Sequence, residues 1–134
     1  QAFANAPVAA VHALAYPLGG NYHIPHGLSN SLVLPHVLRF NASAASELYA
    51  ELAPIILPGR NLPSDPLELS ELLAEYFLTL AADLGLQTRL SQMNIAESDL
   101  PKLAQEAMLQ QRLLINNPRE LSLDDALSIY QQAF

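Results

Sequence analysis

Cysteine is absent from this sequence. That excludes a disulfide framework and any thiolate metal site, so a metal here would have to be held by imidazole and oxygen. The absence also fits a reducing compartment, and a cytoplasmic location is expected. Cationic side chains are scarce: 6 Lys+Arg stand against 13 Asp+Glu, for a net charge of -7. Phosphate binding needs clustered Lys and Arg, so neither nucleic acid nor an anionic membrane is expected as a partner. No apolar run reaches the roughly 18 residues that a membrane span needs. The segment APVAAVHALAY is short and has no basic leader, so it is not read as a signal peptide. Alternating β-branched runs are missing too, which removes the signal for strands. An initiator Met is lacking: the chain opens on Gln1 inside an apolar pattern with no capping residue ahead of it. The expectation is a piece of a longer protein.

What is present is 134 residues, 51% of them hydrophobic, enough for one domain with a real core. Residues 1–16 read as a buried helix with Phe3, Pro7, Val11 and Leu14 near one stripe, and Pro7 as a kink or first-turn residue. Residues 17–27 hold two Pro and three Gly and read as a turn that breaks the helix. Residues 27–41 read as a second apolar helix that Pro35 kinks or divides. A third spans 43–57 and ends near Pro54, with Glu47, Tyr49 and Glu51 as a solvated face. Residues 65–85 give the clearest pattern. Asp65 stands at the N-cap, Pro66 at the first helical position and Gly85 at the C-terminal stop. Its stripe is Leu69, Leu72, Leu73, Tyr76, Leu80 and Leu84. A helix over 98–114 opens at Ser98 or Asp99, 115–121 is a turn, and Ser122 with Asp125 forms a capping box for a last helix. The chain therefore reads as a single all-α domain, 1–134, of five to seven helices without internal repeats.

All four histidines, His12, His23, His26 and His36, fall between Val11 and Asn41. His12 sits late on one helix and His26 at the start of the next, so a tight turn can bring both imidazoles to one point, as in metal sites of helical domains. Neutral imidazole suits Zn2+ and Fe2+, and the N-terminus of a helix favours the neutral ring at His26. The His12-to-His26 spacing is neither a zinc-finger nor an HExxH spacing. A metal site and a pair of helix-end histidines both stay open on these residues alone.

The run HALAYPLGGNYHIPHGLSNSLVLPHVLRFN resembles the second signature of the iron-containing (group III) alcohol dehydrogenase family. The matching features are His12, Pro17-Leu18-Gly19, Pro25-His26-Gly27, Pro35-His36 and Asn41. The stretches TRLSQMNIAESDLPKLAQEAM and NNPRELSLDDALSIYQQAF are similar to later parts of the same family. The resemblance implies the helical C-terminal domain of a two-domain enzyme with dehydroquinate synthase-like architecture, whose N-terminal α/β domain binds NAD or NADP. It implies a divalent metal, Fe2+ or Zn2+, held by one Asp and three His, of which His12 and His26 match the last two. The Asp, the first His and the Gly-rich nucleotide motif have no counterpart in this sequence.

The implied activity is hydride transfer between an alcohol or aldehyde and nicotinamide, with this piece alone inactive. Where many alcohol-active members carry a further histidine for proton relay, this chain has Tyr16. A phenol titrates well above an imidazole. His23 is the other candidate for that relay. His36 reads as a helix-packing residue, and Asn117-Pro118-Arg119 as a surface turn whose Arg could meet a carboxylate or phosphate. The rival reading is a non-catalytic all-α interaction or oligomerisation module, and a homo-oligomer is expected because a truncated apolar face favours association.

Overall fold

The computed structural model describes residues 2–134, with the side chains of 2–8 and 111 outside the description. Among the described residues seven helices follow in order: α1 (Ala2–Tyr22), α2 (His26–Phe40), α3 (Ser46–Ile56), α4 (Pro66–Asp83), α5 (Leu100–Met108), α6 (Gln111–Leu114) and α7 (Leu123–Ala133). Two short 3-10 turns, Leu90–Met93 and Glu97–Asp99, lie between α4 and α5. There is no strand among the described residues. The all-α expectation holds, whereas the Phe3 and Pro7 part of the first stripe lies outside the described side chains.

The expected break at residues 17–27 is much shorter than the composition suggests. α1 continues through Pro17, Gly19 and Gly20, and only His23, Ile24 and Pro25 leave the helix. A proline inside a helix forfeits one backbone bond and costs about 3 kcal/mol. Burial offsets that cost. Pro17 is buried, and Leu14 and Leu18 are fully so, each leucine contributing about 1.5–3 kcal/mol. The Asn21 amide also donates to the Pro17 carbonyl at 2.9 Å. α1 stops at His23, whose φ of 56° is left-handed and whose N–H bonds the Gly19 carbonyl at 3.1 Å. Pro25 (φ -54°, ψ 145°) then opens α2 without a side-chain cap. Pro35 neither ends nor divides α2, and α3 runs past Pro54.

α4 is bounded as its sequence announces. Asp65 accepts from the Glu68 N–H at 3.1 Å, and Pro66 follows it. At the far end Gly85 has φ 78°, Leu86 N–H bonds Ala81 O and Gly85 N–H bonds Ala82 O, the paired Schellman arrangement. The stripe is a partial correction. Leu69 and Leu73 are buried, but Leu80 and Leu84 are exposed, because the second half of α4 buries Ala81 instead. The single helix expected over 98–114 is interrupted at Leu109 and Gln110. Asp99 stands at the N-cap position of α5 as expected, but its side chain caps no N–H: its carboxylate accepts from the Tyr22 hydroxyl at 2.8 Å. Ser122 and Asp125 do form the reciprocal box, at 3.1 and 3.0 Å.

Two apolar clusters result. The larger joins α1, the body of α2, α5, α6 and α7. The smaller joins the end of α2 with α3 and α4 around Leu38, Tyr49, Ala53 and Leu73. Tyr49 corrects the reading of a solvated face: it is 1% exposed and donates to the Leu38 carbonyl at 2.9 Å. Glu47 and Glu51 are exposed as expected. α2 is thus the wall shared by both clusters, with Leu34 touching each.

Candidate metal and substrate site

The three-residue joint between α1 and α2 brings His12 and His26 together. Their ring centroids are 5.5 Å apart and their planes differ by 3°. His12 is half-buried on α1, while His26 is exposed as the first residue of α2. The convergence follows from local structure alone. A helix, a left-handed stop and a proline reverse the chain within three residues, and α1 then lies along α2.

Asn30 sits one turn beyond His26, the spacing that puts two side chains on one helix face. Its Nδ2 lies 3.3 Å from His26 Nε2. Its Oδ1 is buried and has no hydrogen-bond partner. Sequence reading missed Asn30; the only available signal was its i+4 spacing from a histidine.

Tyr16, four residues after His12, faces the same side of α1 and is 65% exposed. It borders an open groove of about 280 Å³ with Gly20, Asn21, Glu106, Leu109 and Gln110. Asn21 donates to Glu106 at 2.6 Å across the floor of that groove. His23 is exposed, and its left-handed backbone makes it the residue that ends α1.

His36 is not brought to the pair. It is 6% exposed, and burial together with the charges of Arg39 and Arg89 lowers its pKa to about 4. The neutral ring accepts from Arg39 at Nδ1, 3.2 Å away. Arg39 Nε lies 2.9 Å from Glu71 Oε1, a charge contact rather than an aligned hydrogen bond. The expectation of a packing residue agrees with this environment.

Asn117-Pro118-Arg119 docks on the end of α2 instead of reaching outward. Asn41 and Asn117 exchange two side-chain hydrogen bonds at 2.9 and 2.8 Å, both buried. Asn117 also donates to the Arg119 carbonyl at 2.6 Å. The Arg119 guanidinium lies 4.2 Å over the Phe40 ring and donates to the Phe40 carbonyl at 3.0 Å.

The donor set suits a borderline divalent ion: two nitrogen donors side by side, with an orphaned amide oxygen on the residue next to one of them. Among the described residues, no three His, Asp or Glu side chains gather as a complete ligand cluster. A catalytic ion usually takes at least three protein ligands. The chain therefore supplies part of a shell.

Comparison with known proteins gives consistent matches. The sequence model described as "Fe-containing alcohol dehydrogenase family, C-terminal" matches residues 1–134. The 1,3-propanediol dehydrogenase of Citrobacter freundii is 36% identical over all of this chain, which covers 34% of that protein. The long-chain-alcohol dehydrogenase 1 of Geobacillus thermodenitrificans (strain NG80-2) is 39% identical over 99% of the chain and 33% of that protein. In the solved structure of a 1,3-propanediol oxidoreductase, 93% of this chain superposes with a TM-score of 0.82 at 34% identity, on 32% of that chain. An alcohol dehydrogenase from Oenococcus oeni gives a TM-score of 0.81 at 31% identity. The chain spans about a third of the length of the curated relatives it matches.

Proposed function

The chain belongs to the iron-containing alcohol dehydrogenase family, and from that membership we propose that it is the helical metal-binding domain of a longer NAD(P)-linked alcohol dehydrogenase. The observation that carries the reading is the His12–His26 pair, 5.5 Å apart and parallel. His12 and His26 would hold a divalent metal, Fe2+ or Zn2+. Such an ion, when bound, polarises a substrate oxygen as a Lewis acid. The remaining ligands and the nicotinamide cofactor would come from the rest of the protein, and the present chain alone would be inactive.

The other residues have narrower tasks. Tyr16 projects from the His12 face into the groove, where its hydroxyl can accept or donate the proton of an alcohol or aldehyde substrate. His23, exposed at the joint, is the second group for that proton. Leu109 forms an apolar side of the groove, which suits the carbon chain of a small alcohol.

Homo-oligomer formation is part of the same proposal, supported by exposed Ile55, Leu67, Leu84 and Ile115. A cytoplasmic location rests on the cysteine-free composition. The acidic charge disfavours nucleic acid and anionic membranes as partners. No described helix is long and apolar enough to cross a membrane.

The test is the metal content and NAD(P)-linked alcohol oxidation of the full-length protein beside its His12→Ala and His26→Ala variants. Stoichiometric metal and activity lost in both variants is the expected result. Full metal and activity in either variant would refute the reading.

A further inference from the structure

We propose that Asn30 is a positioning residue that holds the His26 ring in the metal-free protein and opposes metal loading, an inference that rests on the ligand reading of His12 and His26. The amide nitrogen of Asn30 lies 3.3 Å from His26 Nε2. An N–H donated to Nε2 occupies the lone pair of that nitrogen and leaves the ring proton on Nδ1.

This contact cannot persist once the ring is a ligand. If Nε2 binds the ion, its lone pair is no longer there to accept. If Nδ1 binds the ion, Nε2 carries the ring proton, and donor meets donor. In either case the amide must let go or turn over.

Turning has its own cost. The far atom, Oδ1, is already buried without a partner. A turned amide lets Oδ1 accept from an Nε2–H, but it moves the NH2 group to that buried position, where two N–H donors go unpaired in place of one acceptor. Release without turning loses the one contact that the amide makes to the ring. Asn30 therefore fixes the imidazole near His12 and resists the ion at the same time.

The experiment uses the full-length protein, stripped of metal and titrated with Zn2+ against a chromophoric chelator. Wild type is compared with Asn30→Ala, Asn30→Leu and His26→Ala, and thermal midpoints are recorded for the metal-free forms. Both Asn30 variants should bind Zn2+ about 2- to 10-fold tighter, the span that one net hydrogen bond sets. Their metal-free midpoints should stay near that of wild type, so that a general packing defect does not explain the change. Zn2+ affinity equal to or weaker than wild type in both variants overturns the proposal. Zn2+ binding lost in His26→Ala but unchanged in the Asn30 variants refutes Asn30 alone. Full binding in His26→Ala, or no stoichiometric binding by wild type, refutes the ligand reading and this inference with it.

Discussion

At its first residue α2 carries an exposed imidazole, and ten residues later a buried one. His26 meets His12 and a single amide contact, beside an oxygen with no partner. His36 is held neutral by burial and by Arg39, and the residues after it are saturated: Asn41 by Asn117, and the Phe40 carbonyl and ring by Arg119. One helix thus has an end with spare bonding capacity and an end with almost none. Spare capacity suits a site that must accept a ligand. Saturation suits a joint that must not move.

The sharpest break of this contrast is at the open end. His26→Ala in the full-length protein should lower alcohol oxidation by about 100-fold or more, while the melting temperature shifts little, because the ring is exposed. Steady-state kinetics and a thermal scan of one preparation read both. The saturated end should respond the other way. Asn117→Ala strands the fully buried Asn41 amide and should cost about 2–4 kcal/mol in denaturant unfolding, with metal stoichiometry retained.

A pH series probes the same end more gently. The folded pKa of His36, about 4, lies below its ordinary 6.5, so the fold prefers the neutral ring. Its contribution is complete above pH 6.5 and is lost as pH falls toward 4. There the unfolded chain takes up a proton that the folded chain refuses. Stability should drop about 1.4 kcal/mol per pH unit across that window, and His36→Gln should flatten the slope. The smallest effect belongs to the joint. His23→Gly relieves a left-handed non-glycine residue and should stabilise by about 0.5–1 kcal/mol, read as a shift in the denaturant midpoint.

The open end was the more legible in the sequence. Its parts lie within fourteen residues of each other, and Pro25 before His26 signals the helix start that brings His26 back to His12. The caps of α4 and α7 were legible for the same reason: Asp65, Gly85, Ser122 and Asp125 act on neighbours. The saturated end was not. Asn41 and Asn117 are 76 residues apart, and no local pattern pairs them. Propensity misled at Pro17 and Gly19, where the burial of Leu14 and Leu18 outweighs the breakers. Tyr49 was misread because two glutamates flank it, although its own position turns inward.

The Tyr130 hydroxyl of α7 donates to the Leu14 carbonyl at 2.5 Å, two residues along α1 from His12. Its consequence is one of timing. The two histidines belong to a local hairpin of helices and can meet while the chain is still being made. The bond behind them closes a loop of 116 residues and must wait for the last helix to emerge. The two imidazoles can therefore come together without α7, whereas their backing cannot be in place until α7 is available.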